Sequence, residues 1–139
     1  MVIRLKIFLG ACFLLTACQE NNKTEILTLA NYMQKMQMEY ASIGIGIKQN
    51  KHDAIAYHAN NILTISNTIT ANQNNNEKLA MPYNTQSAIF IDPIIINLKK
   101  IAETNDALKL KEQFKLLTNN CKSCHANNKV APAFIPIEL

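Results

Sequence analysis

Asp106-Ala-Leu-Lys-Leu-Lys-Glu-Gln-Phe-Lys-Leu-Leu-Thr-Asn-Asn-Cys-Lys-Ser-Cys-His125 carries two messages in one run of residues. Ala107, Leu110, Phe114, Leu117, Cys121 and Cys124 recur at alternating steps of three and four, so they form one stripe of an amphipathic helix. Asn105 or Asp106 opens that helix, and Asn127-Asn128 breaks it. The stripe runs directly into Cys-x-x-Cys-His, the attachment signature for covalently bound haem. Two thiols three residues apart share a helix face and reach the two vinyl groups of one porphyrin. His125 then offers an imidazole to the iron as the proximal axial ligand. A zinc site would need two further Cys or His ligands at close spacing, and none stands nearby. A thioredoxin-like dithiol would sit in a βαβ unit at a helix N-terminus, whereas here the motif ends a helical pattern. A chance match and a thiol protein are the remaining alternatives.

The rest of the chain repeats the helical period. Ile26, Leu29, Met33, Met36, Tyr40, Ile43 and Ile47 make the seam of a first helix, with Thr24 as N-cap. Gly44 and Gly46 either admit a close neighbour or end this helix near Asn50. A second helix is predicted over 53–70, with Ile55, Ile62, Ile65 and Ile69 apolar and His58 or Ala59 filling the missing step. An Asn-rich loop, 72–76, follows. A third helix opens with Asp92 as N-cap and Pro93 as its first residue, turns Ile95 or Ile96, Leu98 and Ile101 inward, and ends near Glu103. The motif helix is then the fourth. The tail, 130–139, holds Pro132 and Pro136 and is expected to cross the haem end.

The N-terminus reads as an export signal. Arg4 and Lys6 precede an apolar stretch, 7–15, which is well short of the ~20 residues that span a bilayer. Leu15-Thr16-Ala17-Cys18 resembles a bacterial lipobox, in which Cys18 is lipidated and becomes the mature N-terminus. Leu9-Gly10-Ala11-Cys12 fits less well, because cleavage there leaves only three apolar residues after Lys6. An ordinary cleaved signal with a chance Cys is the other reading. The expected organisation is a signal peptide at 1–17, a polar tether at 18–23 and one helical domain at 24–139. Cys12 leaves with the signal, Cys18 takes lipid, and Cys121 with Cys124 take haem, so no thiol remains for a disulfide. Covalent haem then supplies the staple and apolar body that a short domain needs.

Composition excludes some functions. The chain is formally +4, and loss of Arg4 and Lys6 leaves 12 basic and 10 acidic residues, or +2. This balance is too mild to imply nucleic acid. Lys99, Lys100, Lys109, Lys111, Lys115 and Lys122 read as solvated helix faces, with docking of an acidic redox partner as the minority reading.

Four amphipathic helices with the haem motif on the last resemble the class II c-type cytochromes, the cytochrome c′ family, over essentially the whole mature chain. Ile89-Phe90-Ile91-Asp92-Pro93 is similar to the family's Ile-Trp-x-Asp-Pro opening of helix three, with Phe90 in place of Trp. The aromatic and Arg that commonly follow the His are replaced by Asn127, Asn128 and Lys129. Class I cytochromes c place the motif near the N-terminus and take a downstream Met, and no Met follows residue 81 here. The resemblance implies an antiparallel four-helix bundle, all-α, with one haem c per chain. In that arrangement the first half of helix one faces the haem, and the family's distal position maps onto Met33 with Met36 as its follower. The alternative is that both methionines fill core space around an open iron. His58 would lie ~15 Å from the haem end and is not expected to ligate; His52 is no better placed. Phe90, Phe114 and Leu117, with Met36 and Tyr40, are the expected haem-packing side chains, and Tyr40 is expected to point its hydroxyl outward.

The function so implied is single-electron transfer on the periplasmic side of a bacterial membrane, anchored at Cys18, with redox proteins as partners. Gln19 after Cys18 weakly favours the outer membrane. A homodimer stays open. No catalytic residues are expected, since nothing in the sequence supplies the distal acid-base groups a peroxidase needs. A gas-binding protein with five-coordinate iron is the main alternative. A thiol-redox or structural lipoprotein without haem is the third.

Overall fold

The computed structural model describes residues 27–130, 137 and 139. The signal, Cys18, the tether and Ile26 lie outside the described residues. The described chain is all-helical, with five helices: α1 (Leu29–Lys48), α2 (His52–Gln73), α3 (Tyr83–Phe90), α4 (Asp92–Thr104) and α5 (Ala107–Asn127).

Local chemistry sets the helix ends. Thr28 caps α1, its hydroxyl accepting from Asn31 N at 3.3 Å, and the expected cap Thr24 lies outside the described residues. Asn50 adopts a left-handed φ of 55° and turns the chain into α2. Asp92 stands inside the first turn of α4 rather than at its N-cap, which is Ile91. Its carboxylate is engaged sideways, accepting from Ser66 Oγ and Ser87 Oγ at 3.3 Å each. Left-handed Asn105 ends α4, and Asp106 caps α5 by accepting from Lys109 N at 3.0 Å. The unexpected element is α3, which follows Pro82 and buries Tyr83, Gln86 and Ser87.

The helices pair antiparallel. Along α1 and α2, Tyr32 meets Asn72, Glu39 meets Asn61 and Gly46 meets Ile55. Between α1 and α5, Tyr40 meets Thr118 and Gly44 meets Phe114. Helix α2 also packs on α4 and α4 on α5, while α3 touches α2, α4 and α5.

The main core lies toward the α1–α2 turn: Tyr40, Ile43, Ile47, Ile55, Ala59, Ile62, Ile95, Leu98, Leu110, Phe114 and Leu117 are buried in it. Ala59 therefore fills the open step of α2, and Ser66 is buried alongside. His58 instead faces the flank of the molecule and bonds Glu39 Oε2 at 2.7 Å. Both glycines serve close approach. A Cβ on Gly44 would stand 2.9 Å from Phe114 Cζ, and one on Gly46 would stand 2.9 Å from Ile55 Cγ1. Ala107 is exposed and does not join the α5 stripe. Ile137 packs beside Gly44 and Phe114, ~16 Å along α5 from His125, so this part of the tail does not cover the motif end. Among the described residues no helix is long and apolar enough to cross a membrane.

Candidate cofactor site

Where the first turns of α1 approach the last turns of α5, the helices do not close on one another. A cavity of about 890 Å³ opens between them, within the ~300–1,000 Å³ typical of cofactor and ligand pockets. Cys121, Cys124 and His125 line it from α5, and Met33, Met36 and Tyr40 line it from α1. Leu117, Ile62, Ile91 and Tyr83 complete the apolar wall, and residues 76–79 run along its rim. The helical period explains the convergence. Met33, Met36 and Tyr40 share a face of α1, as Leu117, Cys121 and Cys124 share one of α5, and antiparallel pairing brings the two together.

Two expected members are elsewhere. Phe114 is 1% exposed in the main core, stacked on Tyr40 with ring centroids 4.7 Å apart. It lies two turns before Cys121, where α1 and α5 are already in contact across Gly44. Phe90 ends α3 and packs against the main core, its carbonyl accepting from Asn120 Nδ2 at 2.8 Å. Neither lines the cavity. Tyr40 lines it, yet its hydroxyl turns inward to Thr118 Oγ1 at 2.8 Å instead of outward.

Three participants were overlooked by periodicity. Tyr83, 3% exposed, places its hydroxyl 3.4 Å from Ser66 Oγ and 3.7 Å from Met36 Sδ. Gln86 is fully buried, and its Oε1 accepts from Cys124 Sγ at 3.3 Å and from Asn128 Nδ2. Its Nε2 donates to Met81 O at 2.9 Å and Asn128 Oδ1 at 3.1 Å. Asn128 also donates to Cys124 O at 2.8 Å and accepts from Ala80 N at 2.7 Å. The two amides thus bind the end of α5 to α3 and the preceding loop. Pro82, a helix-start signal one residue before Tyr83, was the available clue.

The thiol electrostatics disfavour redox use of the cysteines as a bare pair. Burial pushes the Cys121 thiol up to about 12, with Cys124 adding to the shift, and burial raises Cys124 as well. Reactive dithiols require the opposite shift, and the C-terminal end of a helix opposes a thiolate further. No group of three or more His, Cys, Asp or Glu gathers to hold a metal ion among the described residues. The residues present do fit a covalently attached haem: two thiols on one wall, an imidazole beside them, an apolar space of suitable size and soft thioether sulfurs on the facing helix. Compared with family models, with curated proteins and with solved structures, the chain matches none.

Proposed function

We propose that this chain is a monohaem c-type cytochrome with a cytochrome c′-like four-helix bundle made of α1, α2, α4 and α5, and that it carries single electrons. The observation that supports this best is the shared cavity, which joins Cys121, Cys124 and His125 to Met33 and Met36 across an apolar gap. Cys121 and Cys124 would hold the porphyrin through thioethers, and His125 and Met33 would ligate the iron. A haem in this site supplies one-electron exchange between ferric and ferrous iron. The protein's part is to hold both ligands in both states, exclude water with Leu117, Ile62 and Ile91, and fix the end of α5 through Gln86 and Asn128. Lipidation at Cys18 would keep the domain at the periplasmic face of a membrane, within reach of redox partners; Cys18→Ala should then leave the membrane fraction.

The test is an absorption spectrum of ferric and ferrous protein, with and without CO, after expression with haem-attachment machinery. The expected result is a low-spin spectrum insensitive to CO, which becomes high-spin in Met33→Ala. A high-spin native spectrum that shifts with CO would move the reading to gas binding. A colourless product with free Cys121 and Cys124 would remove haem from it altogether.

A further inference from the structure

Two methionines one turn apart on the same face of α1 reach one cavity, so a site ligated by a single thioether needs something to break the tie. Methionine has a flexible side chain, and spacing alone does not choose between Met33 and Met36. The surroundings of the two sulfurs do differ. The Tyr83 hydroxyl lies 3.7 Å from Met36 Sδ, whereas among the described residues no hydrogen bond holds the Met33 sulfur.

The Tyr83 hydroxyl has one proton and two acceptors within reach. Ser66 Oγ donates its only proton to Asp92 Oδ1 at 3.3 Å and therefore faces Tyr83, 3.4 Å away, as an acceptor. Ser87 Oγ divides its proton between Asn84 O at 3.2 Å and Asp92 Oδ2 at 3.3 Å. Tyr83 thus divides one O–H between an oxygen and a sulfur. Burial raises its pKa above that of a free phenol, so the proton stays in place through the physiological range.

We propose that Tyr83 selects the axial ligand, holding the Met36 sulfur away from the iron and leaving that position to Met33. This rests on the haem reading above. Tyr83 is here a positioning residue, acting through Met36 without ligating anything itself.

The experiment is NMR of the ferrous protein carrying labelled methionine methyl groups, because the methyl of a ligating Met is shifted far upfield by the porphyrin ring current. The native protein should show one such methyl. Tyr83→Phe should show a second, its population raised about two- to ten-fold, the change that one net hydrogen bond carries. Tyr83→Phe/Met36→Leu should return to one set. Ser66→Ala, which removes the competing acceptor and leaves Tyr83 only the sulfur to bond, should also show one. A single set in Tyr83→Phe, or a second set in Ser66→Ala, overturns the proposal. If Tyr83→Phe does not accumulate, Met36→Leu in the native background decides: an unchanged low-spin spectrum supports the proposal and a high-spin one overturns it. A native protein without haem absorption, or with high-spin iron, would instead refute the reading on which it rests.

Discussion

At the scale of single residues, Gly46 sets how near α1 and α2 can lie. A Cβ there would stand 2.9 Å from Ile55 Cγ1, an atom close to the backbone of a β-branched, fully buried side chain. Alanine would add about 1 kcal/mol of helix propensity, but overpacking costs about 1–3 kcal/mol, so Gly46→Ala should be net destabilising by about 1 kcal/mol. Gly44→Ala meets the ring tip of Phe114, Cζ, at 2.9 Å and Ile137 Cδ1 and Cγ2 at 3.1 Å, and Ile137 can give way because it lies outside the helices. Its loss should be smaller. Urea unfolding of both variants checks the order; a more stable Gly46→Ala would contradict the packing argument. Gln86 gives a second prediction. Gln86→Leu strands Met81 O and the Asn128 amide, and should cost about 1–3 kcal/mol in the same experiment.

At the scale of helices, α5 depends on its first residues as well as its last. Asp106 accepts from Lys109 N, and its carboxylate also meets Lys109 Nζ at 2.9 Å. These bonds lower the Asp106 pKa, the backbone bond contributing most. A carboxylate depressed in the folded state adds stability that is present above its unfolded pKa and is lost as pH falls through the folded value. Asp106→Asn keeps a capping oxygen without the charge, so it should flatten the stability profile of α5 below about pH 4 and lack, at neutral pH, the stability that the charge adds. Helicity followed against pH in both proteins measures this, and parallel profiles would deny Asp106 the role. The helices that a period could reveal are those with long apolar stripes. The α1 seam is buried at Tyr40, Ile43 and Ile47 and half-buried at Leu29, Met33 and Met36, because those three face the cavity. Helix α3 gave no such stripe: two of its three buried residues, Gln86 and Ser87, are polar, with Asn128 and Asp92 among the groups that hydrogen-bond them. Phe114 was misplaced for the converse reason. Its apolarity was legible, but which part of α5 the cavity spans depends on where α1 and α5 separate.

At the scale of the whole molecule, the packing is uneven from end to end. The main core joins α1, α2, α4 and α5 around Ile43, Ile55, Ile95, Leu98 and Phe114, while among the described residues the cavity end adds a smaller cluster of Tyr32, Ile69 and Tyr83. Apolar burial is the principal stabilising term, so the end with the smaller core should open first. A bound haem would offer Met33, Met36 and Leu117 a surface that the polypeptide alone does not provide. Amide hydrogen exchange on haem-loaded protein and on Cys121→Ala/Cys124→Ala, which cannot attach haem, separates the contributions. In both, amides near Ile43, Ile55 and Leu98 should exchange slowly. In the haem-free variant, residues 29–36 and 118–128 should lose protection by at least about ten-fold, corresponding to ~1.4 kcal/mol of local stability, and the loss should fade toward Gly44. Uniform loss along all helices would mean that the molecule is one cooperative unit with no reserve core. Equal protection in both proteins would mean that the cavity end closes without a cofactor, leaving the haem reading without its structural motive.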